Sequence, residues 1–533
     1  MSESPKAQTF LHGTMLLALS TAIVKVIGAL YKIPLNAIIG PEGFGYFTTA
    51  YEIYTVLLMV SSAGLPVAMS RMISQANSLG HYREVRKIYK ICRTIFLILG
   101  LAGGILMTVR CRWLAGKMMQ PDAWAAIGAL GPCAFFICLI STYRGFFQGQ
   151  SNMMPTSVSQ VLEAVCKLVV GMGAALLVLR YTNSIPLAAA GAILGVTVGT
   201  ALSALYLKLT CHKSYTALPV TEEEVSSSGK IIKTLLAIAI PITIGSAGLQ
   251  MLTVLETRTY MRQLMVTLGY TQVQANTMKG IYNMTQTIFN MPCAFINPIT
   301  ISIIPAITAQ LTLNKDSAVK ATEESGARIT GLIALPCAVG LSLLAQPVTA
   351  LLGGYSGENL QLSTQLMSIL GICIVFNAIV LLTNAIMQAH GNVVLPVINM
   401  FIGGILKLAI IFILTGNPNI GILGAPIGTL VCYVCITALN LIAMRKVFKN
   451  PPAIVKSILR AVLAAAIMGV AVFGTWKGIQ MALGDVSRLV SCAVPILVGA
   501  VVYLIAVVKL KAITREDCLL LPKGEKIAKL LKL

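Results

Sequence analysis

The sequence has too few charged side chains to cover the surface of a soluble protein. Of its 533 residues, 11% are charged and 56% are apolar, whereas soluble domains have about 25% charged and about 45–50% apolar residues. The apolar stretches divide into about 14 spans of about 20 residues, the length that crosses a bilayer as a helix. The sequence therefore predicts an all-α polytopic membrane protein rather than several soluble domains.

Motifs for catalysis and for nucleotide or metal binding are missing. The chain contains no P-loop, no nucleophile-elbow motif and no zinc-binding HExxH motif, and its 4 histidines are scattered. Cys432 and Cys435 form a CxxC pair, but they lie in an apolar run without a second pair, which favours packing over metal binding. We therefore expect no enzyme and no bound cofactor or metal. If a protein of this class moves a solute across the membrane, that movement could be coupled to the membrane potential, H⁺ or Na⁺.

Positive charge is in excess, at a net +22, yet no nucleic-acid-binding motif accompanies it. In so apolar a chain, the excess indicates anionic membrane lipids and cytoplasmic loops. If the N-terminus is cytoplasmic, the inner segments hold about three times as many Lys and Arg residues as the outer segments. We expect both termini in the cytoplasm and no nucleic-acid partner. Nothing in the sequence indicates an oligomeric state.

Two portions of the chain resemble each other at an offset of about 235–240 residues. Six helices per copy is an even number, so the two copies would have the same orientation in the membrane. The residues that recur are Gln148, Asn152, Lys167, Gly191 and Gly195, as Gln388, Asn392, Lys407, Gly424 and Gly428. We predict an N-terminal six-helix lobe at 1–220, a C-terminal six-helix lobe at 221–450, two extra spans at 451–510 and a basic amphipathic tail at 511–533.

Several ionisable residues lie inside predicted spans, where a charge costs at least about 2.5–3.5 kcal/mol and must face protein, water or a ligand. Lys25 and Lys32 are seven residues apart, so they share one face of the first span and form a candidate anion site. Snorkelling of the two lysines to opposite interfaces is the alternative. The other candidate charges are Glu52, Glu163, Lys167, Glu256, Arg258 and Lys407.

Two further patterns have both a structural and a functional interpretation. Glu163 and Lys167 are four residues apart and could form an ion pair within one helix, without a role in binding. In the second copy, Gly403 stands at the position that corresponds to Glu163, four residues before Lys407. An ion pair therefore does not explain why the lysine recurs. Amide side chains also follow a helical spacing in the eighth span, which predicts either hydrogen bonds between helices or a wall that binds a sugar. These amide residues are Asn283, Gln286, Asn290 and Asn297.

The first two spans and the end of the fourth carry a family resemblance. Residues 21–34 (TAIVKVIGALYKIP), 40–46 (GPEGFGY), 64–71 (GLPVAMSR) and 143–149 (YRGFFQG) resemble the multidrug/oligosaccharidyl-lipid/polysaccharide exporter superfamily. Within that superfamily, the chain is most similar to the branch of stage V sporulation protein B and MurJ-like lipid II flippases. Together with the 6+6+2 arrangement of spans, the resemblance extends over essentially the whole chain.

The resemblance implies a bacterial cytoplasmic-membrane flippase for undecaprenyl-linked saccharides, with a cationic cavity for the pyrophosphate. Lys25 occupies the position of the first of the arginines that MurJ-like members have in this span, whereas Tyr31 and Lys32 stand where those members have Arg-Asp. The last two spans of that branch form a groove for the lipid tail. Two other functions compete: a cation-coupled drug exporter, against which the basic first span argues, and a non-transporting scaffold for envelope synthesis, which would not need charges in the membrane.

The orientation can be tested by labelling single cysteines in an otherwise cysteine-free variant. We expect cysteines in the 71–93 loop, the 444–456 loop and the tail to react only with reagents that reach the cytoplasm, because these segments carry most of the positive charge. Labelling of either loop from outside would contradict the predicted topology.

Overall fold

The computed structural model describes residues 10–313, 315–448, 450–483, 487–514 and 517. These residues form 17 α-helices and no strand, which confirms the all-α fold class. The helices are α1 (Phe10–Ser62), α2 (Leu65–Ser78), α3 (Tyr82–Val109), α4 (Cys111–Lys117), α5 (Trp124–Ala129), α6 (Gly131–Gly149), α7 (Met154–Thr182), α8 (Ile185–Thr216), α9 (Ser228–Arg262), α10 (Gln272–Thr312), α11 (Asp316–Leu343), α12 (Ala345–Leu352), α13 (Gly357–Ala389), α14 (Val394–Thr415), α15 (Gly424–Val447), α16 (Ile454–Leu483) and α17 (Arg488–Lys509). Of the predicted tail at 511–533, residues 515, 516 and 518–533 lie outside the described residues.

Twelve helical segments within the described ranges are long and apolar enough to cross a membrane. The predicted count of about 14 spans is not confirmed. One of the twelve, Ile23–Ser78, joins the first two predicted spans, and α10 is not among them although it is 41 residues long. The chain is nevertheless a multi-pass membrane protein.

The long α1 helix is interrupted at Gly40, where φ is +69° and ψ is 175°. Glycine adopts this left-handed region without the steric cost that a Cβ atom imposes. Pro41 follows, and a proline is favourable where a new helical segment starts. The sequence places its first two apolar stretches at 12–38 and 44–68, and the interruption falls between them. Helix α1 therefore consists of two helical arms.

Proline and asparagine set several other helix boundaries. Proline occupies one of the first two positions of α2, α6, α7 and α8, where its missing N–H would have no partner within the helix in any case. Helix α7 ends at Asn183, which adopts a left-handed conformation with φ of 49°, and asparagine tolerates that conformation better than most residues.

The chain divides into two compact units, Met1–Gly280 and Ile281–Leu533. In the first unit, α7 packs on α8 and on α1, α3 packs on α6, and α9 packs on α1 and α2. In the second unit, α11 packs on α13 and α16, α14 packs on α15, and α16 packs on α17. The predicted lobe boundary at residue 220 refers to the sequence repeat and stays a prediction.

The recurring lysine and glycine make the same contacts within each unit. A Cβ atom at Gly195 would collide with the backbone of Gly171 and lie 3.1 Å from the carbonyl oxygen of Lys167. At the recurring positions, a Cβ atom at Gly428 would lie 2.8 Å from the side chain of Ile411 and 3.3 Å from the carbonyl oxygen of Lys407. The pairs α7–α8 and α14–α15 are therefore built alike, each with a small residue that allows close approach of the helices.

The polar linker before α9 is fixed to the start of α3. The Glu223 carboxylate accepts hydrogen bonds from the backbone N–H groups of Arg83 and Glu84, at 2.5 and 3.1 Å. Arg86 and Lys87 donate to the carbonyl oxygens of Leu218 and Ser226, at 2.6 and 2.7 Å. Because helix N-termini carry partial positive charge, the glutamate both caps α3 and holds the linker against it.

Beyond α17, the chain folds back onto α11 through Asp517. Its buried carboxylate accepts hydrogen bonds from Nε and Nη2 of Arg328, the latter at 2.8 Å, and further bonds from the Ser325 hydroxyl and the Thr514 N–H. Burial alone would raise the pKa of Asp517, but these bonds outweigh burial and lower it. The stability that they contribute is therefore present above the ordinary aspartate pKa and is lost as pH falls through the lowered value.

We predict opposite effects of two glycine-to-alanine changes in the same pair of helices. Gly195→Ala should destabilise the protein by about 1–3 kcal/mol, since the added methyl group overpacks the contact with α7. Gly173→Ala should be neutral or stabilising, because nothing lies within 4 Å of that Cβ position and the unfolded chain loses entropy. Thermal unfolding in detergent measures both variants, and equal midpoints would contradict the close packing of α7 and α8.

Candidate functional site

Two lysines, Lys32 and Lys167, lie beside the ring of Tyr51. The Lys167 Nζ donates to the Tyr51 hydroxyl at 3.3 Å and lies 4.4 Å from its ring centroid, and the Lys32 Nζ lies 5.9 Å from the same centroid. In one straight helix, residues 32 and 51 would be about 28 Å apart. The break at Gly40 therefore turns the second arm of α1 back along the first, while α7 supplies Lys167 from the other side.

An aromatic cluster holds the Tyr51 ring in place. Tyr51 stacks on Phe47 with 5.9 Å between centroids and contacts Tyr54 at 5.5 Å. Tyr31 meets Phe47 edge-on at 5.8 Å, and its hydroxyl donates to the carbonyl oxygen of Ala192 at 3.0 Å. Such ring pairs add to the stabilisation from burial alone, so the cluster fixes the positions of the rings on which the lysines rest.

Neither lysine has an acidic partner. Among the described residues, no carboxylate lies within 4.0 Å of the Lys32 or Lys167 ammonium. Both side chains are only half-buried, and the two positive charges act on each other electrostatically. Two unpaired cations beside an aromatic wall can bind an anion, and each also gains from the electron-rich face of the ring.

The ion pair of Glu163 with Lys167 is not formed. Glu163 instead lies 3.4 Å from Nη2 of Arg144 on α6, and the Nε of Arg144 donates to the Ser159 hydroxyl at 3.0 Å. Arg144 was not among the predicted site residues, although it was the charged residue in the motif that closes the fourth span. Arg144 pairs with Glu163, and Lys167 instead donates its hydrogen bond to the Tyr51 hydroxyl.

Glu52 is also paired, with a lysine that the sequence analysis missed. The Lys279 Nζ lies 3.4 Å from both carboxylate oxygens of Glu52 and donates to the Thr49 hydroxyl at 2.6 Å. The Lys279 side chain is 0% exposed and that of Glu52 is 13% exposed. Lys279 lies at the very start of the eighth predicted span. Its positive charge there, beside Gly280, is the sequence feature that could have marked it as a candidate intramembrane residue. Glu52 also acts electrostatically on Lys32, but the ion pair that it forms is with Lys279.

Of the remaining candidates in the first unit, Glu256 is buried, whereas Arg258 and Lys25 are exposed. Glu256 on α9 is buried and acts electrostatically on Glu52. Arg258 is exposed, since two residues further along a helix lie on nearly the opposite face, and it makes no contact with Lys32 within the described ranges. Lys25 is exposed, two turns from Lys32 on the same face of α1.

In the second unit, the predicted residues differ in their exposure. Lys407 is half-buried on α14, Asn283 is buried and Asn290 is exposed. Asn297 lies where side chains are outside the described part of the chain. A buried network that the sequence did not reveal joins α13, α14 and α15: Asn440 accepts from Asn399 and donates to Thr383 and Asn384, all at 2.8 Å.

The second unit also contains a long apolar groove. Its volume is about 670 Å³, and it is bounded by α10, α11, α12, α16 and α17. None of its lining residues is charged, and Tyr503, which lines it, donates its hydroxyl to the carbonyl oxygen of Leu332 at 2.8 Å. The walls include Met291, Cys337, Val348, Met468 and Ile496. Such a groove can accommodate a hydrocarbon chain but offers little to a polar ligand.

Comparison with known proteins yields matches along the whole chain. The family described as "Polysaccharide biosynthesis protein" matches residues 10–310, more than half of the chain. Stage V sporulation protein B of Bacillus subtilis (strain 168) is 25% identical over 520 residues, which cover 97% of this chain and 98% of that protein. Lipid II flippase MurJ of the same organism is 23% identical over 493 residues, which cover 89% of both chains.

Solved structures share the fold. The inward closed conformation of lipid II flippase MurJ superposes with a TM-score of 0.68 at 14% identity and covers 92% of this chain and 98% of that one. An inward-facing multidrug resistance MATE family transporter of the MOP superfamily has a TM-score of 0.63 at 16% identity and covers 80% and 97%. These matches confirm the resemblance found in the sequence.

The buried pair of Glu52 and Lys279 yields a stability prediction. Glu52→Gln or Lys279→Met alone should destabilise the protein by about 3–5 kcal/mol, because each leaves one charge buried without its partner. The double variant should recover part of that loss, since it removes both charges. Thermal unfolding of the four proteins in detergent measures the coupling, and additive effects would contradict the pairing.

Proposed function

The chain belongs to the family of polysaccharide biosynthesis proteins, and from that premise we propose that it is a flippase. Its substrate would be a saccharide linked to undecaprenyl pyrophosphate, such as a peptidoglycan precursor, which it would move across the bacterial cytoplasmic membrane. Two similar lobes that rock about a central site would give alternating access. The lipid-linked saccharide would be its partner, with anionic lipids around it.

This proposal rests on Lys32 and Lys167, two lysines beside Tyr51 that form no ion pair with a carboxylate of the described residues. A lipid pyrophosphate carries about two negative charges, and each would cost several kcal/mol in a low-dielectric interior without compensation. Lys32 and Lys167 would supply two positive charges, because Arg144 and Lys279 occupy the nearby carboxylates. Lysine is a flexible point charge without a fixed fork, which suits a headgroup that must be bound and then released.

The apolar groove supports the same substrate class. A lipid-linked saccharide has a charged headgroup and a long hydrocarbon tail, and the tail would need an apolar path while the headgroup crosses. The groove beside α16 and α17 offers such a path without charged lining residues. The two extra helices would then serve the lipid tail.

The membrane potential would favour outward transport. Moving one elementary charge through 100 mV is worth about 2.3 kcal/mol. A pyrophosphate that leaves a cytoplasm at negative potential moves in the favourable direction. We therefore propose coupling to the membrane potential without a bound cofactor, with coupling to H⁺ or Na⁺ as the alternative.

A multidrug exporter is the competing function, and its support is the MATE-like fold. A site for cationic drugs would present acidic groups, whereas here Glu52 and Glu163 are each paired with a basic side chain. A non-transporting scaffold would gain nothing from two lysines in the membrane that have no acidic partners. The charges thus favour an anionic substrate.

Rescue of a flippase-depleted bacterium tests the proposal, with lipid II accessibility at the outer face as the readout. Replacing both Lys32 and Lys167 by alanine should lower flipping at least ten-fold without lowering membrane abundance, since each charge-assisted contact is worth about 1.5–3 kcal/mol. Arginine at either position should retain part of the activity. Lys25 is the other lysine of the anion site predicted from the sequence, and we expect Lys25→Ala to abolish flipping as well; unchanged flipping would remove Lys25 from that site.

Arg180→Ala is the matched control, because Arg180 is an exposed cation on α7, the helix that carries Lys167. It should leave flipping unchanged. Normal rescue by the double lysine variant would remove the cationic site from the mechanism, whereas failure of the unaltered chain to restore lipid II at the outer face would argue against this substrate.

A further inference from the structure

Arg488 lies close to one end of the apolar groove, although it is not one of the residues that line it. Arg488 is the first residue of α17, and its Nη1 donates to the carbonyl oxygen of Ala350 on α12 at 3.4 Å. Cys492, one turn further along α17, lines the groove, as do Val348 and Leu351 on either side of Ala350. The guanidinium group is therefore placed where α12 and α17 bound the end of the groove.

The groove extends away from Arg488 along α17. Its lining on that helix extends from Cys492 to Leu504, a rise of about 18 Å. That is more than half of the hydrocarbon thickness of a bilayer, about 30 Å. A cavity of this length with uncharged walls suits the chain of a lipid, and a charged headgroup would remain at the Arg488 end.

Arg488 has most of its hydrogen-bonding capacity left. A guanidinium group has five N–H donors, and the bond to Ala350 uses one of them. No carboxylate of the described part of the chain lies within 4.0 Å of Arg488, and its side chain is exposed. The planar guanidinium binds phosphate oxygens in a two-pronged manner, which suits a phosphate group whose lipid chain lies in the groove.

We propose that Arg488 binds the pyrophosphate of a polyprenyl lipid whose chain occupies this groove. This proposal rests on the proposed flippase function and adds a second binding site for the headgroup to the transport path. In the predicted orientation the start of α17 is at the outer face, so Arg488 holds the headgroup after it has left Lys32 and Lys167. A polyprenyl lipid fits because the groove accommodates a single long hydrocarbon chain. The guanidinium group of Arg488 can bind two adjacent phosphate oxygens of its headgroup.

A purely structural role for Arg488 is the alternative to be separated by experiment. Ala350 belongs to the last turn of α12, and a basic side chain can stabilise the carbonyl groups at a helix C-terminus. Loss of that role would disturb the groove for every lipid. Loss of a headgroup contact would affect only lipids that carry phosphate.

The test measures lipid binding to the full-length chain in phosphatidylcholine nanodiscs by native mass spectrometry. The background is the Lys32→Ala/Lys167→Ala variant, so that headgroup binding at those lysines does not contribute. The probes are undecaprenyl pyrophosphate, undecaprenol and phosphatidylglycerol. We expect Arg488→Ala to weaken binding of undecaprenyl pyrophosphate about ten-fold, to leave undecaprenol unchanged, and Arg488→Lys to retain part of the affinity.

Lys477→Ala is the control, since Lys477 is an exposed cation on α16 that lies over the Trp476 ring and does not line the groove. It should not change binding. Equal weakening of undecaprenol would overturn the proposal in favour of a structural role, and so would unchanged binding of undecaprenyl pyrophosphate. Displacement of undecaprenyl pyrophosphate by equimolar phosphatidylglycerol would overturn it in favour of an ordinary phospholipid site. If the unaltered chain binds neither polyprenyl lipid, the proposed function fails as well.

Discussion

The cost of an uncompensated charge in the membrane constrains the first compact unit. A carboxylate that the helices bring inside the membrane needs a cation or a hydrogen-bond donor, and Glu163 meets Arg144 while Glu52 meets Lys279. These pairs leave Lys32 and Lys167 without an acidic partner, resting on the ring of Tyr51. The unit thus keeps a positive site in an apolar setting, which is the arrangement that an anionic headgroup requires.

The geometry of that site depends on one backbone position. Because Gly40 interrupts α1 with a positive φ, Lys32 and Tyr51 come together although they are 19 positions apart. The close approach of α7 to α8 at Gly195 then holds Lys167 on the other side. A residue that resists the left-handed conformation at position 40, or a larger one at position 195, would move the lysines without touching them.

The sequence predicted what depends on helix periodicity and on the energetic cost of charge. The membrane class and the recurring lysine and glycine could be found without coordinates, and so could the presence of Lys32 and Lys167 inside predicted spans. A role of these lysines in binding stays a prediction. The sequence could not show which basic residues pair with Glu163 and Glu52. Arg144 and Lys279 belong to other helices, so their distances from Glu163 and Glu52 follow from packing, and i,i+4 spacing suggested the wrong partner for Glu163.

The buried network of Asn399 and Asn440 could not be predicted for the same reason, because its hydrogen bonds form only where three helices pack together.

The most direct test of the central claim is a structure of the full chain bound to a saccharide linked to undecaprenyl pyrophosphate. The account predicts phosphate density within hydrogen-bonding distance of the Lys32 and Lys167 ammonium groups. Headgroup density at the paired carboxylates instead, with Lys32 and Lys167 facing lipid, would contradict it.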